Sequence, residues 1–150
     1  MSQLDMTKFI NLSPPWGEQA YRDIIGLLNT GRSLQVAGAA LAAQSVIMAQ
    51  HAGRVNDISV VLNEAFAAGE SMVLDVLKAP AGGGAAASIL TATVTLNATS
   101  AVNAKISLMA SLDLTKANFV PGEIFQIVRT YVAGGGPAAP ANVASVELGV

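Results

Sequence analysis

From Arg32 onward the chain alternates apolar and polar positions in short runs, each closed by Gly, Pro or Asn. The run Ser88 to Asn97 shows the pattern most plainly: Leu90, Ala92, Val94 and Leu96 fall on one side, Thr91, Thr93 and Thr95 on the other. Period two belongs to a strand with one buried and one wet face. The same reading predicts strands at Ser33–Ala37, Leu41–Gln50, Val55–Leu62, Ser71–Lys78, Ile89–Leu96, Ala104–Leu112, Ile124–Val132 and Asn142–Val150. Asn56-Asp57 reads as a bulge. Ser71–Lys78 is apolar on both faces, as expected of a central or partner-covered strand. Phe125, Ile127, Arg129 and Tyr131 share one side of their strand. Val120-Pro121-Gly122-Glu123 suits a type II turn, with Pro then Gly in the two central places.

The first thirty residues follow another rule. Asn11 to Trp16 contains Pro14 and Pro15 and cannot be regular helix, because proline lacks the amide hydrogen and pushes its predecessor to extended geometry. From 17 to 29 the period changes: Tyr21, Ile24, Ile25 and Leu28 lie at helical spacing and form one apolar face. Asn29-Thr30-Gly31 reads as the stop, with Gly31 as a left-handed cap. The division expected is an N-terminal arm with a short helix over 1–32 and a β-sandwich over 33–150. About eight strands with turn signals between them predict an all-β, antiparallel sandwich of Greek-key or jelly-roll type.

Composition narrows the function classes. Charged residues are 12% of the chain, against about 25% in an ordinary soluble domain, which suits sheets packed against other protein. Lys and Arg form no cluster, so no nucleic-acid surface is expected. Cysteine is absent, which removes disulfides and thiolate metal sites and fits assembly in a reducing cytoplasm. The N-terminus lacks a basic region followed by an apolar core, and Ser33 to Gln50 is too interrupted to span a membrane.

Catalytic chemistry finds little to use. His51 is the one histidine, at a strand end with Asp57 six residues on; a turn residue is the plainer account. Glu64, Glu70, Asp75, Asp113, Glu123 and Glu147 are spread singly, without the spacing of an oxygen cage. Gly82-Gly83-Gly84 and Gly134-Gly135-Gly136 open onto no helix and carry no Gly-Lys-Ser/Thr, so they read as strand connectors. Asn97-Ala98-Thr99 matches the glycosylation triplet by chance, with no secretion signal beside it. No catalytic residue, cofactor or metal ligand is therefore expected. The candidate anchors for a partner are Trp16, Tyr21, Ile24 and Leu28, since buried aromatic and aliphatic side chains dominate interface energetics.

Three segments resemble small β-sandwich virion proteins of tailed bacteriophages. Ala52-Gly53-Arg54-Val55-Asn56-Asp57-Ile58 is similar to their "AG-x-V-x-x-I" opening, and Ala67 to Lys78 to their following strand. Phe119 to Ile127 resembles their "aGD-x-I" turn, with Glu123 in place of aspartate. The resemblance covers residues 45–150 and implies a capsid decoration (cement) protein. Such a protein is a homotrimer on the outer surface of the phage head, made in the host cytoplasm, that binds the major capsid protein and bridges capsomers. Related sandwiches also occur in head and tail fibres, which implies the alternative of an adhesin domain binding host glycan or protein through the Gly82 and Gly135 loops. Neither membrane nor nucleic acid is a partner in either case.

Overall fold

The computed structural model describes residues 30–35, 44–132 and 140–149. Ten strands occur in them: β1 Thr30–Gln35, β2 Gln44–Met48, β3 Gly53–Leu62, β4 Ser71–Ala79, β5 Ala87–Ser88, β6 Val94–Asn97, β7 Lys105–Ser107, β8 Asn118–Phe119, β9 Ile124–Val132 and β10 Asn142–Gly149. They form two antiparallel sheets. The first runs β1-β10-β3-β7, with β8 also on β3; the second runs β2-β9-β4-β5, with β6 also on β4. Counting β5 with β6 and β7 with β8 as broken single strands gives eight positions, interleaved between two sheets in jelly-roll order. The expected all-β sandwich is thus observed, and its strand order is resolved.

The alternation does what period two requires. On β4, Met72, Leu74 and Val76 are buried between the sheets, while Val73, Asp75 and Leu77 look outward. On β10 the inward set is Asn142, Ala144, Val146 and Leu148. Phe119 of β8 meets Phe125 of β9 edge to face, with ring centroids 5.7 Å apart, which ties the sheets together at the end where β3 and β9 begin. The expected bulge is present. Glu147 pairs with Asp57 and Leu148 with Val55, so Asn56 is the extra residue. It lets Val55 and Ile58, three apart, both face inward.

Several expectations are corrected. β1 begins at Thr30, inside the stretch assigned to the arm, and Gly31 is a strand residue and no helix cap. A Cβ on Gly31 would lie 2.6 Å from the Val46 carbonyl oxygen, so glycine lets β1 cross close to β2. Ile89–Leu96 is not one strand. Ile89 and Leu90 are neighbours and both are buried, which a flat strand cannot arrange. Ile89 still donates its N–H to the Val76 carbonyl of β4 at 2.9 Å, but Thr91 donates to the Ser111 carbonyl at 2.7 Å. The chain leaves β4 and returns as β6, and Ala92 ends up exposed. Ala104–Leu112 shortens to β7 followed by a 3-10 turn at Met109–Ser111. Phe119, outside every strand the pattern predicts, belongs to β8 and the core.

Candidate interaction surfaces

The sandwich has two ends, each closed by a cation that crosses between sheets. At one end Arg129 of β9, only 4% exposed, donates from Nε to Asn142 Oδ1 of β10 at 2.8 Å. Its Nη1 reaches Gln44 Oε1 of β2 at 3.4 Å. Asn142 in turn donates from Nδ2 to the Pro140 carbonyl at 3.0 Å and toward Met72 Sδ at 3.7 Å. Burial pushes the Arg129 pKa down to about 10, which still leaves it charged at neutral pH. Nearby the Tyr131 hydroxyl is buried with no hydrogen-bond partner among the described residues. Burial, and after it the Glu70 carboxylate, raise its pKa above the usual tyrosine value. Glu70 itself accepts from the Ala67 N–H at 2.9 Å and so is committed to the β3–β4 turn. This end is a polar plug within the fold.

At the other end Lys78 of β4 donates to the carbonyls of Asn118 at 2.6 Å and Lys116 at 3.3 Å, with Glu123 Oε2 at 3.5 Å. Around this plug the chain presents apolar and small residues. Ala49 donates its N–H to the Glu123 carbonyl at 2.8 Å and Gly122 donates to the Ala49 carbonyl at 2.8 Å, so the turns after β2 and before β9 lie together. Met48, the last residue of β2, and Val120 border them, each about half exposed. Ala81 lies against Gly122, which brings the β4–β5 loop to the same tip. Gly82 and Gly83 there have positive φ, and a Cβ on either would meet nothing within 4 Å, so their backbone is open to a partner.

The two outward sheet faces differ in charge. The β1-β10-β3-β7 face carries Arg32, Arg54, Asp57, Lys105 and Glu147. Lys105 meets Asp57 at 2.7 Å, and this contact raises the lysine pKa. At its centre Ser59 and Ser145 share a hydrogen bond of 3.0 Å. Among the strand residues of the β2-β9-β4 sheet that look outward, Asp75 is the single charge. It already accepts from Ser88 Oγ at 2.6 Å and from the Val76 N–H at 2.8 Å. That face also carries Val73, Leu77, Ile124, Val128 and the half-exposed Val132, with Ser71, Thr130, Gln126, Ser45 of β2 and Thr95 of β6 among them.

Trp16, Tyr21, Ile24 and Leu28, with the expected helix over 17–29, lie outside the described residues, as does the Gly134-Gly135-Gly136 run. His51 is exposed in the turn between β2 and β3, and Asp57 is engaged by Lys105 rather than by it. Asn97 and Asp113 do local work. Each side-chain oxygen accepts from the N–H and the hydroxyl of the threonine two residues on, Thr99 and Thr115, at 2.7 to 3.0 Å. The exposed tip at Met48 and Val120 has no signature in the sequence pattern. Its residues come from turns about 70 positions apart in the chain, and only the pairing of β2 with β9 joins them.

No group of three or more metal-ligating side chains gathers among the described residues, and no helix there is long and apolar enough to cross a membrane. No family model, curated protein or solved structure matches this chain.

Proposed function

We propose that this chain is a virion structural protein of the capsid decoration type, which attaches to the outer surface of a tailed-phage head and bridges capsomers. The observation that supports it best is the apolar tip. Met48, Val120 and the open Gly82–Gly83 backbone come together at one end of the sandwich. A small apolar anchor on a rigid scaffold binds weakly by itself, since area converts poorly into affinity. Repeated over a lattice, many such contacts reinforce a shell collectively. The major capsid protein is the partner in this reading, and copies of the chain associate with one another on the head.

A fibre-associated adhesin is the second reading, because the same open glycine loop would equally receive a host glycan or protein. The strand ends that flank residues 133–139 are Val132 and Pro140, at the opposite end of the sandwich from Gly82, since Ser71 pairs with Val132 and Ala79 with Ile124. In this reading the contact among the described residues is the Gly82 tip; the Gly134-Gly135-Gly136 run lies outside them.

Immunogold labelling of the phage particles that carry this chain tests both. Even label over the head, in hundreds of copies, is the expected result. Label confined to the tail or fibre tips, together with glycan-array binding, favours the adhesin and defeats decoration.

A further inference from the structure

We propose that the Glu123 carboxylate is the positioning group of the apolar tip: it fixes Val120 and ties three turns into one surface, without itself meeting the partner. This deepens the reading of the tip as the attachment site and rests on it.

Glu123 is the last residue of the turn Val120-Pro121-Gly122-Glu123. Gly122 takes a φ of 88°, as the third place of a type II turn requires, and Glu123 donates its N–H back to the Val120 carbonyl at 3.3 Å. The side chain returns the bond, with Glu123 Oε2 accepting from the Val120 N–H at 2.9 Å. Val120 is thus held on both sides of its Cα by one residue. A charged acceptor makes the second of these bonds roughly twice as strong as a neutral one would be.

The same oxygen faces Lys78 Nζ at 3.5 Å. That ammonium also donates to the carbonyls of Asn118 and Lys116, so its three hydrogens meet three oxygens. Glu123 supplies the one anion among them and joins the end of β4 to the turn before β9. Beyond β4 the chain continues into Ala81, which lies against Gly122. Through its own carbonyl Glu123 accepts from the Ala49 N–H at 2.8 Å, next to Met48. One residue therefore reaches every part of the tip: Val120 directly, Met48 through Ala49, and the Gly82 loop through Lys78.

Burial separates holding from binding. The Glu123 side chain is 14% exposed, whereas Val120 and Met48 are about half exposed. A partner reaching the tip meets the valine and the methionine, and the ion pair behind them keeps them in place. Anchors ordered beforehand bind more tightly, because less freedom is lost on contact.

Amide exchange of the full chain, followed by NMR in wild type, Glu123→Ala and Glu123→Gln, tests the holding role without a capsid. In the alanine variant the Val120 amide should speed up roughly tenfold more than the Ile89 amide, which is bonded to Val76 inside the sandwich. Glu123→Gln, whose amide oxygen still accepts from Val120, should recover part of that protection. Occupancy on purified phage heads should fall in the same order, from wild type through glutamine to alanine. Should the alanine variant not fold, Glu123→Gln decides: faster exchange at Val120 than at Ile89 supports the inference, and no difference overturns it. Unchanged exchange at Val120 in Glu123→Ala overturns it, as does an equal loss of protection in both variants. Full occupancy of Glu123→Ala beside lost occupancy of Val120→Asp overturns the inference and leaves the tip as the attachment site. Full occupancy of both overturns the attachment site, and this inference with it.

Discussion

Arg129 is joined to Asn142 across the interior of the sandwich: Nε of one side chain donates to Oδ1 of the other at 2.8 Å, linking β9 of one sheet to β10 of the other. A guanidinium held this deep is tolerated because acceptors meet it, Gln44 among them at 3.4 Å. The bond is a requirement of a buried charge more than a source of stability.

Asn142→Ala should therefore cost more than Arg129→Met. The first leaves a buried cation short of its acceptor, for about 3 kcal/mol; the second removes the charge together with its needs. The double variant Arg129→Met/Asn142→Ala should lose at least about 1 kcal/mol less than the sum of the single losses. Urea denaturation of the three variants measures this. Additive losses would show that the two side chains act independently.

Gly53→Ala and Gly82→Ala should differ sharply. A Cβ on Gly53 would lie 1.9 Å from the Gly149 carbonyl oxygen, so β3 and β10 must separate where they pair. About 3 kcal/mol of stability should go. Gly82 has open space, and only its positive φ of 85° resists a side chain, for about 1 kcal/mol. Thermal melts of both variants give the comparison.

The turn at Asp113 should weaken in acid. The Thr115 hydroxyl and N–H hold the Asp113 carboxyl below its ordinary pKa, with Lys116 helping at 3.4 Å. A carboxylate depressed in the folded state stabilises above its unfolded pKa, and that contribution is lost as pH falls below about 4. Melting curves of wild type and Asp113→Asn should differ at pH 6 and converge toward pH 2.5. A constant difference across that range would show that the charge does not hold the turn.

Val120→Asp should leave stability within about 0.5 kcal/mol, since the side chain is half exposed and off the core. Capsid occupancy should nevertheless fall, because a carboxylate now sits at the centre of the apolar tip. Quantifying the chain on purified heads, with Ala68→Asp in the exposed β3–β4 turn at the other end of the sandwich as control, checks the assignment.

Legibility in the sequence follows the range of the interactions. β9 is readable at full length because nine residues alternate without a break and Pro121-Gly122 marks their start. The bulge at Asn56 is readable because two short polar residues interrupt an apolar run. The fracture of Ile89–Leu96 is not, because the segment's two halves answer to different partners: Ser88 and Val94 pair with β4, while Leu90 bridges to Leu112. Arg129 stands out on an apolar face, but its acceptor lies on another sheet. The signal for that acceptor is Asn142, which shares the parity of Ala144, Val146 and Leu148 and so faces the same interior. The tip at Met48 and Val120 has no local signal at all, since its parts are brought together only by strand pairing.

The adjacency of β1 and β10 has a mechanical consequence. Thr30 stands opposite Glu147, so the first described strand begins beside the end of the last. Force applied between these two points would load the ladder hydrogen bonds one after another, like a zipper opened from its end, with no row of them resisting together. A tether drawn from residue 30 against one at residue 149 would peel β1 away at low tension while β3, β4, β9 and the rest of β10 stayed folded. Load entering through the tip would press on the closed sandwich instead, along its stiffest direction.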